Sequence, residues 1–148
     1  MNREIRFRAK PLNYDPQTMP EWAEGFCYQE LHRGEMHHLI TDGAHTFEID
    51  PDTLGQFTGL KDAKGNEVYE GDIIHSPLHN IVIVKYGYNE ECVTHGRPKI
   101  TDSFASYGWI AENVKNGLVG FLDNEFLQGE VIGNIHDNPE LLKTGKKE

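Results

Sequence analysis

Glu70 and Asp72 stand two residues apart in the run from Val68 to His75. In extended backbone alternate side chains leave one side of the strand, so two such carboxyl groups lie at a separation comparable to the roughly 6.5–9.5 Å of paired carboxyls in some hydrolases. His75 would complete an acid–base set, and the chemistry would be hydrolysis. Gly71 argues for a plainer arrangement, in which the strand bends there, Asp72 bonds nearby backbone N–H groups and Glu70 faces water. No residue is assigned a catalytic role.

Eight histidines and two cysteines raise the question of a metal. His37-His38, His75, His79 and the pair Cys92 and His95 are the available ligands. A structural zinc site needs four ligands in repeated close pairs, and a deaminase would need H-x-E with P-C-x-x-C; neither pattern occurs. No G-x-x-x-x-G-K-[ST] or helix-opening G-x-G-x-x-G offers a phosphate cradle. A triad drawn from Ser103, Ser106 and His136-Asp137 has no G-x-S-x-G to support it. No metal and no cofactor are expected.

Binding chemistry has more to work with. Arg6, Arg8 and Lys10 alternate with Ile5, Phe7 and Ala9, so a strand there puts its cations on one face. Joined by Arg3, and by Arg33 or Arg97, they would form a nucleic-acid patch, although a net charge of −10 opposes phosphate binding. The same acidity admits mimicry of DNA. Tyr86, Tyr88, Tyr107 and Trp109 fall on or beside strands, where core packing accounts for most of them. Tyr88, at the mouth of the irregular stretch, is the one least expected to be fully buried, and such a surface aromatic can meet a peptide or a base.

These residues need elements to hold them. With 148 residues, 15 Gly and 7 Pro, the chain suits one mainly β domain, 1–148. No apolar run approaches the ~20 residues of a membrane span, and the first residues lack the apolar core of a signal peptide, so a cytoplasmic protein with Cys27 and Cys92 as free thiols is expected. Residues 1–52 read as an N-terminal strand and a three-strand meander (Phe26 to Leu31, Met36 to Thr41, His45 to Ile49), with Asp50 and Pro51 starting a short helical turn. Pro11 to Pro20 reads as a loop anchored by Trp22. Residues 53–142 read as a barrel part. There a hairpin turns at Gly65, a bend falls at Gly71, and Ile81 to Tyr88 forms a central strand covered on both faces. Asn89 to Asp102 reads as an exposed irregular loop, followed by strands at Phe104 to Ile110 and Leu118 to Leu122 around an Asn116-Gly117 turn. Residues 143–148 are expected to fray.

Three segments together resemble a known family: Glu4 to Ala9, Thr58 to Ile73 and Val131 to Leu142. The second fits T-G-L-K-D-x-x-G-x-x-(I/V)-Y-E-G-D-(I/V) and the third fits V-I-G-N-I-x-x-N-P-E-L-L, a combination similar to the YopX family of phage and prophage proteins. Gly59, Asp62, Gly65, Tyr69, Gly71, Asp72, Gly133, Asn134 and Pro139 carry the signature. The resemblance implies a compact β-rich fold with a small SH3-like barrel, an N-terminal meander layer and short helical turns, made in the bacterial cytoplasm. It implies no activity, cofactor or catalytic residue. The expected function is that of a non-enzymatic accessory protein, homo-oligomeric and binding a host or phage protein. The alternatives are a nucleic-acid role, by the Arg6, Arg8 and Lys10 face or by acidic mimicry, and a small hydrolase using Glu70 and Asp72.

Overall fold

The computed structural model describes residues 4–144. The fold is mainly β, and its contacts divide the chain into two compact units, Met1–Leu60 and Lys61–Glu148.

The first unit contains β1 (Phe7–Ala9), β2 (Ala23–His32), β3 (Glu35–Thr41), β4 (Thr46–Glu48), a 3₁₀ turn at Pro51–Thr53 and the start of β5 (Gly55–Lys61). Its strands lie in the order β4-β3-β2-β1-β5, antiparallel at each pairing given by register. The meander forms as its turn chemistry predicts. Arg33 and Gly34 take φ of 52° and 81° between β2 and β3, the left-handed pair that matches the twist of a two-residue hairpin. Asp50 caps the 3₁₀ turn by accepting from the Asp52 N–H, and Pro51 occupies the first helical position, where no N–H is needed. Ala9, Ala23, Ile40 and Ile49 are buried together, with Phe7, Cys27, Phe47 and Leu54 packed against them.

The second unit contains β6 (Glu67–Tyr69), β7 (Asp72–Ser76), β8 (Asn80–His95), β9 (Ile100–Asn113), β10 (Val119–Phe121), α1 (Asn124–Leu127), β11 (Glu130–Asn134) and α2 (Glu140–Thr144). Five of these strands form an antiparallel sheet in the order β10-β9-β8-β7-β11. The buried apolar residues of this unit, among those described, are Val68, Tyr69, Ile73, Ile74, Val82, Val84, Ile110, Ala111, Leu122 and Phe126. Asp123 caps α1 by accepting from the Glu125 N–H.

One expectation is overturned. Asn89 to Asp102 is not an irregular loop, because β8 and β9 continue paired through Thr94 opposite Thr101 and His95 opposite Ile100, leaving only Gly96 to Lys99 as the turn. Its polar residues hid the period, but a two-stranded ribbon wet on both faces has no apolar face to alternate with a polar one. The central strand is therefore covered on both faces only at its start, where Ile81 to Val84 are buried or half-buried. Among the described residues no helix is long and apolar enough to cross a membrane.

Candidate interaction surfaces

Asp72 is 2% exposed, and its Oδ2 accepts the Tyr69 N–H at 2.7 Å. That bond closes the bend at Gly71, whose φ of 91° suits a residue without Cβ. The Gly71 N–H donates to the Val84 carbonyl, and its own carbonyl accepts from the Ile135 N–H at 2.9 Å. Asp72 thus serves the bend, as the plainer reading has it. Glu70 departs from that reading, since it is half-buried rather than turned to water, and His75 is exposed.

Asp62, in the other half of the same motif, is also buried. It accepts from the backbone N–H groups of Lys64, Asn66 and Val131 and from the Asn66 side chain. Burial, the largest single influence, pushes its carboxyl up, and the four hydrogen bonds together outweigh it and hold the carboxyl below its ordinary value.

The histidines are spread over unrelated settings. His37 donates to Glu48 at 2.6 Å, and that bond first, with the charges of Glu48, Glu35 and Glu30, raises its pKa. His79 lies 3.3 Å from the Glu125 carboxylate with its ring against Phe126, and His95 pairs with Asp102 at 2.7 Å. Cys92 meets Ser103 instead, at 3.4 Å. Among the described residues no three His, Cys, Asp or Glu side chains converge as metal ligands would.

The basic strand does not make an open patch. Arg6 is clasped by Glu4 at 3.0 Å and Glu24 at 3.2 Å, with its guanidinium 4.6 Å from the centre of the Phe57 ring. Arg8 and Lys10 both lie over Trp22, at 4.7 and 5.3 Å, which confirms that they share a face and shows how Trp22 is anchored. Arg33 sits in the turn at the far end of β2, Arg97 belongs to the second unit, and Arg3 lies outside the described residues.

The aromatic residues correct a second expectation. Tyr86 packs edge-on against Trp109 at 5.2 Å between ring centres and Tyr88 against Tyr107 at 5.3 Å, so the four form a cross-strand ladder on one face of β8 and β9. Most of that ladder is surface, not core: Tyr86, Tyr88 and Tyr107 are 58%, 49% and 70% exposed. The reason is sheet width. The register of β7 reaches only Ile83, and that of β10 only Ile110 to Glu112, so the ribbon outruns both neighbours. From Glu90 to Tyr107 every residue is exposed, Val93, Ile100 and Phe104 included.

The sequence profile of the YopX family, described as YopX protein, matches residues 13–143, nearly the whole chain. The chain belongs to the YopX family. No curated protein sequence matches it.

A second surface of this YopX protein left little signal in the sequence. A groove of about 580 Å³ lies in the first unit, with Trp22, Phe26 and Phe47 among its walls and Glu4, Glu24 and Asp42 beside them. Its origin is a change of partner along β2. Ala23 to Gly25 pair with β1 and Phe26 onward with β3, which ends at Thr41 opposite Phe26. At that crossing Gly25 has φ of 144°, and a Cβ there would lie 2.0 Å from the Thr41 carbonyl oxygen. Residues distant in sequence supply the lining, so no local spacing could have revealed it. Gly25, a lone glycine inside a strand, was the one available signal.

Proposed function

We propose that this YopX protein is a non-enzymatic, homo-oligomeric protein-binding module, made by a bacteriophage or prophage in the cytoplasm of its bacterial host. The observation that carries this reading is the exposed β8–β9 ribbon. Two open edges and exposed Tyr86, Tyr88, Phe104 and Tyr107 are features that folded chains cover with another chain. Side chains of this kind bury about 150–250 Å² each, so Tyr86, Tyr88 and Tyr107 on one face offer on the order of 300 Å², under half of what one partner contributes to a standard interface, and Phe104 adds to the opposite face. The rest comes from the backbone and polar residues beside them.

Family membership fits the phage origin. Asp72 spent on a bend, and an exposed His75, favour binding over hydrolysis. Arg6 bound to Glu4 and Glu24 weakens direct nucleic-acid binding, because a cation already paired releases few counterions from phosphate. Light scattering of the purified chain over a range of concentrations tests the oligomer. A mass at least twice 16.9 kDa is expected, and a monomer at all concentrations contradicts the proposal.

A further inference from the structure

We infer that two copies join along the open edge of β9, antiparallel about a twofold axis, so that the ribbon of each continues the sheet of the other. This rests on the oligomeric reading and names the edge, the register and the symmetry. Hydrogen bonds at the base of the ribbon fix the direction of its backbone groups. The Trp109 carbonyl accepts from the Leu122 N–H at 3.0 Å, and the Asn113 N–H donates to the Leu118 carbonyl at 2.8 Å, so odd-numbered residues of β9 turn their backbone groups away from β8. Beyond Trp109 no strand follows on that side among the described residues, since the register of β10 ends at Phe121 opposite Ile110. The N–H and C=O groups of Thr101, Ser103, Ala105 and Tyr107 therefore stand at an open edge. The Tyr107 carbonyl takes one bond there, from the Ser106 hydroxyl at 3.0 Å, and keeps a second lone pair.

Charge and side-chain fit select a second copy, and select this edge. Natural edges are blunted by lysine, proline or a bulge. From Ile100 to Tyr107 Asp102 is the sole charge, and the pairing with β8 runs without a register shift. The other edge is guarded. Even-numbered residues of β8 face it, as the Val84 carbonyl does in accepting the Gly71 N–H at 2.8 Å. Pairing its open stretch, Tyr86 to Thr94, with its own copy would set Glu90 against Glu90, and like charges directly opposed destabilise a sheet. On β9 the self-pairing that uses the whole open edge sets Thr101 opposite Tyr107 of the second copy, Asp102 opposite Ser106, Ser103 opposite Ala105 and Phe104 opposite Phe104. Each rung is compatible: a β-branched residue on an aromatic ring, a carboxylate on a hydroxyl, two small side chains, and an aromatic pair. Two chains of net charge −10 thus meet with no like charges directly opposed. The second copy's Ile100 comes opposite Gly108, just short of where Leu122 takes its place beside β9. Such a contact is isologous and closes at two copies.

Proline at either end of one rung tests this in the full chain. Ser103 and Cys92 lie opposite each other and both turn their N–H away from the ribbon, so proline at either position removes no bond between β8 and β9. Ser103→Pro is expected to give a mass near 16.9 kDa at concentrations where the wild type has about twice that, and Cys92→Pro is expected to keep the wild-type mass. Cross-linking supplies a readout that does not depend on proline. In a Cys27→Ser, Cys92→Ser background, Phe104→Cys should form an intermolecular disulfide on oxidation with diamide, because opposed Cα atoms of a non-hydrogen-bonded pair lie about 4.5 Å apart. Glu90→Cys, at the middle of the other edge, should not. Wild-type mass in Ser103→Pro overturns the β9 contact while leaving the oligomer standing, and so does an assembled Phe104→Cys chain that forms no cross-link. Equal loss of assembly in the two proline variants, or a cross-link at position 90 in place of 104, overturns the choice of edge. A monomeric wild type overturns both the contact and the oligomer.

Discussion

Asp62 Oδ2 accepts the backbone N–H of Val131 at 2.8 Å, across 69 residues of chain. This bond joins the two longest motifs of the family signature. One carboxylate closes its own turn, through Lys64 and Asn66, and ties that turn to the first half of β11. A second tie, from Ile135 to Gly71, fixes the other end of the same pair of segments. The motifs therefore specify a clamp within the second unit.

Removing the Asp62 carboxylate should be costly. Hydrogen bonds to a charged acceptor contribute roughly 1.5–3 kcal/mol, and several N–H groups are orphaned at once, so Asp62→Ala is expected to lose about 3 kcal/mol in urea unfolding. The pH dependence has a definite sign. The folded carboxyl titrates below its unfolded value, so its contribution is full above the unfolded pKa and disappears as pH falls through the folded one. The stability gap between wild type and Asp62→Asn should narrow in acid below about pH 4. A gap that widens there contradicts the clamp.

His37 should titrate with a midpoint above 6.5, the ordinary value, because protonation strengthens its bond to Glu48. Its raised pKa makes the stabilising pairing complete below the unfolded pKa and lost as pH rises through the folded one. Imidazole proton shifts followed by NMR measure this directly. Glu48→Gln should bring the midpoint down, and an unchanged midpoint would remove Glu48 as the cause.

Two glycines separate backbone cost from crowding. Gly34 has φ of 81° and open space where a Cβ would sit, so Gly34→Ala should cost only the left-handed penalty of about 1–2 kcal/mol. Gly25→Ala adds a collision with the Thr41 carbonyl and should cost roughly 3 kcal/mol or more, with loss of the groove. Equal melting temperatures for the two variants would mean that β2 and β3 part without penalty.

Much of the first unit was legible because its turns carry their own chemistry: Arg33-Gly34 and Asp50-Pro51 announce a hairpin and a cap locally. The family signature was legible for a similar reason, being built of glycines and turn carboxylates. The β8–β9 ribbon was not, since exposure on both faces erases the alternation by which strands are recognised, and the exposure of Tyr86 and Tyr107 depends on where β7 and β10 stop. Glu70 was misplaced because a bend alters which side chains reach water. The groove depends on Trp22, just before β2, and Phe47 of β4 lining one cavity, a tertiary fact whose one local trace is Gly25.

The exposed ribbon stands or falls on solution mass. Phe104→Ser with Tyr107→Ser changes two side chains that are 55% and 70% exposed, so the melting temperature of the monomer unit should barely move. Light scattering of this variant beside the wild type, at equal concentration, is predicted to show an assembled wild type and a variant near 16.9 kDa. Equal masses for the two would contradict the ribbon as the interface.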